Sequence, residues 1–340
     1  MTTSQDTSVG IKKESSFGTL ATVDSFFEYL EEDFAQNPTY TQGGGLRLGR
    51  IVAAADRRRL THLEPSGTLT LEGFTKGMGK LFEAALGTGV STVVSGAAFQ
   101  QLFTPTVGER LPSYTLQVGI PLEGGGAVQP QTYSGMVCSG FELSIGAGGI
   151  PMLKFPFVGK DVDVVTGFAT PSYAANNQLL SFVDSSIILG GSVTPPTTTA
   201  LATGGTTLAS CRDATFTWDN DLDNDGFFLG GAGKRGRVPA LGLRHGSGSL
   251  TVEYNTNTLR DAYLAQTDMA LVLRFAFPTA IVGPNYPTLE LTIPDIRLGG
   301  ELPKANGGKL VTQTVPFDLF DGRVATSPLY VAIVTTDTAI

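Results

Sequence analysis

The 340-residue sequence contains little cysteine, histidine, tryptophan or charge. It has two cysteines, two histidines and one tryptophan, and only 16% of its residues are Asp, Glu, Lys or Arg. The cysteines, Cys138 and Cys211, are too few for a disulfide scaffold and do not have the spacing of a metal site. We therefore expect both to be ordinary residues of a protein made in a reducing compartment.

A membrane-spanning run and a secretory signal are also absent. No stretch approaches the ~18 consecutive apolar residues that a transmembrane helix needs. Residues 1–10 are polar and have neither the basic start nor the apolar run of a signal peptide. We expect synthesis in the cytoplasm and no membrane partner.

Positive charge is scarcer than negative charge. The chain has 23 Lys and Arg against 31 Asp and Glu, a net charge of −8. A protein that holds nucleic acid through its phosphates usually carries a basic face, so this balance argues against that class. It suits a surface past which a polyanion must move without adhering.

Glycine and proline, by contrast, are abundant, with 43 and 19 residues. Together with many Ser and Thr residues, they favour turn-rich β structure over helix bundles. The length is sufficient for two domains that each have a core. Composition therefore predicts an all-β protein of two domains.

One phrase occurs twice and organises the chain. Residues 66–72 read Ser-Gly-Thr-Leu-Thr-Leu-Glu, and residues 247–253 read Ser-Gly-Ser-Leu-Thr-Val-Glu. An amphipathic helical pattern follows each copy. We interpret each phrase as a Ser-Gly turn, an alternating strand and a helix, and the constant offset between the copies predicts a duplicated domain.

The same order of charges precedes both copies: an acidic cluster, a glycine pair or triplet, and then a basic stretch. The basic stretches have no interleaved aromatic residues for base stacking. Because charge complementarity sets register in assemblies, we expect them to contact other subunits. The basic residues are Arg47, Arg50, Arg57, Arg58 and Arg59 in the first half, and Lys234, Arg235 and Arg237 in the second.

The predicted domain boundaries follow from this repeat. A first domain with an N-terminal arm spans residues 1–190, a Thr/Pro/Gly-rich linker or loop spans 191–210, and a second domain spans 211–340. The segment 179–189 fits either domain. Residues 88–110 form an insertion that only the first half has, and the last apolar run, 329–334, has no clear counterpart in the first half.

No arrangement of residues predicts catalysis. His62 and His245 each lie shortly before a repeated phrase, and neither is surrounded by a nucleophile elbow or a Cys-His signature. A dyad of His62 with Cys138 is not favoured. We therefore expect a protein that is not an enzyme.

One local motif resembles the start of a calcium-binding loop. Asp221, Asp223 and Asp225 alternate and are followed by Gly226, which matches the oxygen ligands and the tight turn of such a loop. The twelfth position is Ala232, where a bidentate Glu is expected. A calcium site and an unliganded acidic loop both remain open, and no other cofactor is predicted.

The repeated phrase and the segments around it resemble the tail tube proteins of long, non-contractile-tailed bacteriophages (siphoviruses). Each segment alone is weak, but their conjunction and order cover nearly the whole chain. They are the opening 10–19, the phrase 66–72 with its helix, the strand 111–119, Tyr133-Ser134-Gly135, residues 141–144, and the closing segments 291–294, 313–317 and 335–339.

The resemblance implies two tandem β-sandwich or barrel domains, each with one flanking helix. It also implies rings that stack into a hollow tail tube in the virion, through which DNA passes without specific binding. A ring presents six tube domains, so three chains are favoured and six are the alternative. The tape measure protein and the tail-end proteins are the implied partners. Candidates for the lumen are Glu28, Glu31, Glu32 and Asp219, together with the three aspartates of the calcium-like motif.

A second class of function is a soluble β-sandwich module that binds carbohydrate or protein, with or without calcium. It would explain the Asp221 motif and the turn-rich composition. It would not explain why an acidic cluster precedes a basic stretch in both halves of the sequence.

Overall fold

The computed structural model describes residues 4–123, 126–300, 302–303 and 310–340, and these are mostly β. The all-β prediction is therefore confirmed. The strands follow from alternation of apolar and polar residues: along β22, Gln313, Val315 and Phe317 are buried, and the residues between them are exposed.

The elements are as follows, in chain order. The strands are β1 (Ser8–Lys13), β2 (Ser25–Phe27), β3 (Glu31–Glu32), β4 (Ala35–Gln42), β5 (Arg58–Glu72), β6 (Val90–Ser95), β7 (Ala98–Phe103), β8 (Tyr114–Pro121), β9 (Val128–Cys138), β10 (Gly140–Ile145), β11 (Met152–Val158), β12 (Asp161–Asp163), β13 (Ser185–Leu189), β14 (Val193–Thr194), β15 (Thr203–Gly204), β16 (Cys211–Asp219), β17 (Leu222–Asp223), β18 (Ala240–Leu241), β19 (His245–Glu253), β20 (Met269–Ala276), β21 (Thr288–Leu298), β22 (Thr312–Leu319) and β23 (Tyr330–Thr335). The α-helices are α1 (Gly79–Leu86) and α2 (Thr258–Ala265), and 3₁₀ turns span Ser4–Asp6, Ala55–Arg57 and Phe182–Asp184.

The two halves of the chain pair their strands in the same registers. β8 pairs antiparallel with β9 as β20 pairs with β21, and each pair has a bulge two residues from its start. β5 pairs with β11 as β19 pairs with β22. Matching pairs are Tyr114–Met136 and Met269–Ile296, Leu69–Phe155 and Leu250–Val315, and Cys138–Phe157 and Leu298–Phe317.

The strands at the margins of the two halves correspond as well. β13 pairs with β20 as β1 pairs with β8, so residues 185–189, which the sequence left open between the two domains, pair with the second half. β23 lies against β21 as β12 lies against β9, so β12 is the first-half counterpart that sequence analysis missed. The linker 191–210 contains the short β14–β15 ladder.

The halves join in one continuous sheet. β10 of the first half pairs with β16 of the second over six residue pairs, from Gly140–Asp219 to Ile145–Ala214. The insertion 88–110 supplies the β6–β7 hairpin, and β7 pairs with β23 of the second half. The two halves therefore share two strand ladders, β10–β16 and β7–β23.

A single hydrophobic cluster of buried residues crosses this junction. Phe82 of α1 meets Phe141 of β10 edge-on, with 5.5 Å between ring centroids. Phe141 then contacts Phe216 of β16 at 5.8 Å, and Phe216 stacks on Phe317 of β22 at 6.5 Å. These aromatic contacts connect the first helix to the second half.

The repeated Ser-Gly phrase lies inside β5 and β19, so the prediction of a turn is wrong. Glycine is required there by the neighbouring strand. A Cβ at Gly67 would lie 2.5 Å from the Cα of Phe34, and one at Gly248 would collide with the carbonyl oxygen of Thr215. The repeated glycine therefore permits close approach of a strand in both halves.

We expect Gly67→Ala and Gly248→Ala each to lower the free energy of unfolding by about 1–3 kcal/mol, since the new methyl group meets backbone atoms of the adjacent strand. Chemical denaturation measures the change. Gly44→Ala is the matched control, because no atom lies within 4 Å of its Cβ position. Equal stability of all three variants would contradict the close-approach explanation.

Candidate assembly surfaces

A two-stranded hairpin of the first half carries the basic stretch away from the core. We call residues 35–66 the arm. Its strands, β4 and the first part of β5, pair from Ala35–Ser66 to Gln42–Arg58, and nearly every residue of β4 is exposed. At its tip, Leu46 and Ile51 are fully exposed. The arm therefore presents apolar side chains that the described part of the chain does not cover.

The five predicted contact arginines of the first half all lie on this arm and are exposed. Arg57 donates from Nη1 to the carbonyl oxygen of Gly45 at 2.8 Å, which shapes the tip loop. The Arg58 guanidinium lies 4.5 Å from the centroid of the Tyr40 ring. Arg47, Arg50 and Arg59 complete the set. The structure thus places these residues together and leaves them available to another molecule.

The second half has a counterpart of the arm, residues 222–241, which we call the inner loop. Leu222 pairs with Leu241 as Tyr40 pairs with Leu60, and each pair precedes a copy of the repeated phrase. The inner loop lies against the first half of its own chain. Its backbone accepts a hydrogen bond at the Gly233 carbonyl from Leu63 N–H of the arm, at 2.7 Å.

The three predicted contact residues of the inner loop are paired within the chain, and their contact with another subunit stays a prediction. Lys234 forms an ion pair with Asp161 at 2.5 Å, and Arg237 forms one with Asp223. Arg235 is completely buried. The basic stretch indicated an exposed surface because its residues are charged. Arg235 is buried instead, because its partner, Glu64, lies on the arm, far away in the sequence.

Arg235 fastens the inner loop to the arm. Its Nη2 donates to Glu64 Oε1 and its Nη1 to the carbonyl oxygen of Asn224, both at 2.6 Å. Its guanidinium also lies 5.1 Å from the centroid of the Phe227 ring, which itself meets His62 edge-on at 4.6 Å. His62 therefore has a packing role at this contact.

The calcium-like motif does not assemble into a ligand group. Asp223 is bound by Arg237, and this hydrogen bond holds the pKa of its carboxyl below the usual value. Asp221 adopts a left-handed backbone conformation (φ 47°) and its N–H donates to Asp219 Oδ1 at 2.8 Å. Asp225 N–H donates to Asp223 Oδ1 at 3.0 Å. Within the described residues, no three His, Cys, Asp or Glu side chains are grouped so as to hold a metal ion.

Three of the four lumen candidates lie on strands that border β5 or β19. Glu31 and Glu32 form β3, which borders β5, and Asp219 ends β16, which borders β19. Glu28 and Glu31 are exposed, whereas Glu32 is half-buried and accepts a hydrogen bond from Phe34 N–H at 3.1 Å. Burial raises the pKa of Glu32.

The sequence analysis did not predict two buried carboxylates, those of Glu14 and Glu290. Glu14 accepts hydrogen bonds from Gly18 N–H and Gly135 N–H, both at 2.8 Å, as well as from two side-chain hydroxyl groups. Glu290 is fully buried and pairs with Arg274 of the adjacent strand. The sequence carried a signal for this pair, because Arg274 is the one charged residue in the otherwise apolar pattern of β20.

The thiols are not arranged as nucleophiles. Burial raises the pKa of Cys138 to about 12 and that of Cys211 to about 11, so both remain protonated at neutral pH. Neither of the described helices is long and apolar enough to cross a membrane.

Comparison with known proteins gives one family. A family model described as "Phage tail tube protein" matches residues 4–319. A search of curated proteins found no match.

We expect Arg235→Ala to lower the free energy of unfolding by about 2–3 kcal/mol, because it leaves a cavity and removes the partner of Glu64. The exposed Arg59→Ala is the control and should change it by less than ~0.5 kcal/mol. Chemical denaturation of both variants tests this. If Arg235→Ala were as stable as Arg59→Ala, the inner loop would not be fastened in this way.

We expect the thermal midpoint to be the same in calcium and in a calcium chelator, because the acidic motif does not form a group of ligands. Differential scanning calorimetry under the two conditions measures it. A ligand that binds only the folded state raises the midpoint. A rise with calcium that Asp221→Asn abolishes would establish a site at this motif.

Proposed function

The chain belongs to the phage tail tube protein family, and on that premise we propose that it polymerises into stacked rings that form the hollow tail tube through which DNA leaves the virion. Family membership makes it a structural component of the tail. The observation that carries the proposal of polymerisation is the arm, whose apolar tip is not covered by any of the residues that the structure describes.

The tip of the arm is unusual for a protein that remains a monomer. Leu46, Leu48 and Ile51 are 100%, 103% and 101% exposed. Apolar side chains that extend together into solvent mark an interaction surface. The arginines around them add a charged rim, which is the composition expected of a contact between subunits. The alternative of a β-sandwich binding module has no comparable support.

We further propose that each ring contains three chains, and that each chain contributes two tube domains. The matched strand registers of the two halves support this, because a single unit present in two copies explains why equivalent residues pair in both halves. The pairing of β13 with β20 favours a boundary near residue 180 between the two units. In a ring of six chains, one domain of each chain would only decorate the exterior of the tube. Such a domain would have no need to retain a counterpart of the arm.

The charge of the chain supports passage of DNA without binding. A net charge of −8 repels a polyanion, and like charge along a bore prevents adhesion. Glu28, Glu31 and Asp219 remain the proposed lumen residues, because they are exposed or partly exposed acids. The tape measure protein and the tail-end proteins are the proposed partners in the tail.

Electron microscopy of the purified protein tests the proposal. We expect rings or tubes with a central hole, in which class averages show threefold symmetry and six similar lobes. Native mass spectrometry of the rings counts the chains independently. Stable monomers at high protein concentration would contradict assembly, and six chains in a ring would contradict the trimeric ring while leaving the tube intact.

A further inference from the structure

A short segment after β23 crosses from the second half of the chain to the first. We call this segment, residues 336–340, the latch. The Thr338 carbonyl oxygen accepts a hydrogen bond from Ser91 Oγ at 3.3 Å, and the Ala339 carbonyl oxygen accepts one from Gln101 Nε2 at 2.9 Å. Both donors belong to the β6–β7 hairpin of the first half. The latch therefore continues the contact that begins where β23 pairs with β7.

The latch lies against the hydrophobic cluster in a closely fitting seat. Ile340 packs on the cluster, and Gln101, which donates to the latch, is only 2% exposed. The backbone next to the latch has no room for a side chain, because a Cβ at Gly89 would lie 2.6 Å from Ile340 Cδ1 and 2.8 Å from Phe103 Cε1. Close packing of this kind makes the fit specific to the segment that fills it.

The latch also supplies an acceptor that helix α1 lacks in its own sequence. Asp337 Oδ2 accepts a hydrogen bond at 2.7 Å from the N–H of Gly77, just before the helix begins. Met78 at the N-cap makes no side-chain capping bond, and the first turn of α1 contains no acid. A carboxylate beside the N-terminus stabilises a helix because it faces unpaired N–H groups and the positive end of the helix dipole. α2, in contrast, has Asp261 in its own first turn.

Helix α1 depends on the same neighbours as the latch. Six of its eight residues are buried. Phe82 of α1 lies 6.0 Å from Phe103 of β7, measured between ring centroids, and Phe103 pairs with Val331 of β23. The latch, β7 and α1 therefore pack together, although Asp337 follows Gly77 by 260 residues in the sequence.

The first half has strand edges that the second half covers. β10 pairs with β16 of the second half, and β7 pairs with β23. Before those partners fold, β10 and β7 each present a row of unpaired N–H and C=O groups, and such an edge can pair with another chain. A contact that is made only after β23 has formed follows the covering of the β7 edge.

We propose that the latch couples the two halves of the chain: α1 reaches its full stability only when β23 is formed and residues 336–340 are seated, so that a chain enters a ring only after both halves have folded. The coupling inside the chain follows from the contacts of Asp337 and Ile340 and does not depend on assembly. Its consequence for ring formation rests on the proposed function.

Hydrogen exchange measures the coupling directly. We expect Asp337→Ala combined with Ile340→Ala to accelerate exchange of the α1 amides about tenfold or more, because the helix loses an acceptor and β7 loses a packing partner. Amides of the β19–β22 ladder, which lies outside the contacts of the latch, should exchange as in the wild type. Asp225→Ala, which removes an exposed acid of the inner loop, is the control. Unchanged exchange in α1, or equal acceleration in α1 and in the ladder, overturns the coupling.

A conservative substitution isolates the hydrogen bond of Asp337. The amide oxygen of Asp337→Asn can still accept from Gly77 N–H, so exchange of α1 should stay within about threefold of the wild type. Asp337→Ala alone should exceed that value. Equal exchange in the Asn and Ala variants overturns the role assigned to this acceptor.

Competition during assembly tests the consequence for the ring. The double variant is mixed with an equal amount of wild-type chains, and the chains in isolated rings are counted by mass spectrometry. We expect about half as much double variant as wild type or less, because the fraction of chains able to bind falls when the latch opens. The Asp225→Ala control should enter rings as the wild type does.

The outcomes of the competition are distinguishable. Equal incorporation of the double variant overturns the link between the latch and assembly, and leaves the proposed function standing. A wild-type chain that stays monomeric overturns the proposed function, whereas hydrogen exchange on that monomer still tests the coupling inside the chain.

Discussion

The pairing of β10 with β16 is the contact on which the rest of the structure depends. It brings the two backbones so close that a Cβ at Gly140 would collide with the carbonyl oxygen of Trp218. The ladder aligns the two halves, and Asn220 reinforces it by donating both to Ala85 and to the carbonyl oxygen of Cys138, at 3.3 Å. Because the sheet and the hydrophobic cluster both continue through this point, the inner loop meets the arm in a fixed position.

A junction inside one chain changes the energetics of ring formation. Two separate tube subunits would lose translational and rotational freedom each time they met. Two units joined in one chain make that contact at a high effective concentration. In a ring of three such chains, half of the contacts between units would already exist in the free protein. The contact between copies would then need to supply only the remaining half, which suits a compact set of arginines and apolar side chains on the arm.

Sequence patterns predicted the parts of this protein that depend on local periodicity. Alternation identified the strands, and the constant offset of the repeated phrase related β5 to β19 before any pairing was known. The Ser-Gly phrase was misinterpreted because serine and glycine are also typical of turns. The true cause, close approach of Phe34 or Thr215, depends on which strand lies alongside. The burial of Arg235 was not predicted for the same reason, because it depends on Glu64, which lies 171 residues away in the sequence. Pairing between distant strands is the information that a local pattern lacks.

The arm also bears on the acidity of the chain. Its five arginines are a large share of the 23 basic residues, and they sit on one projecting hairpin. If a contact with a neighbouring copy covers them, as we propose, the surface that remains exposed is more acidic than the net charge of −8 suggests. Formation of the ring would then remove positive charge from the exposed surface. Assembly and the passage of a polyanion would therefore depend on the same residues, because the cations that hold copies together are unavailable to bind DNA.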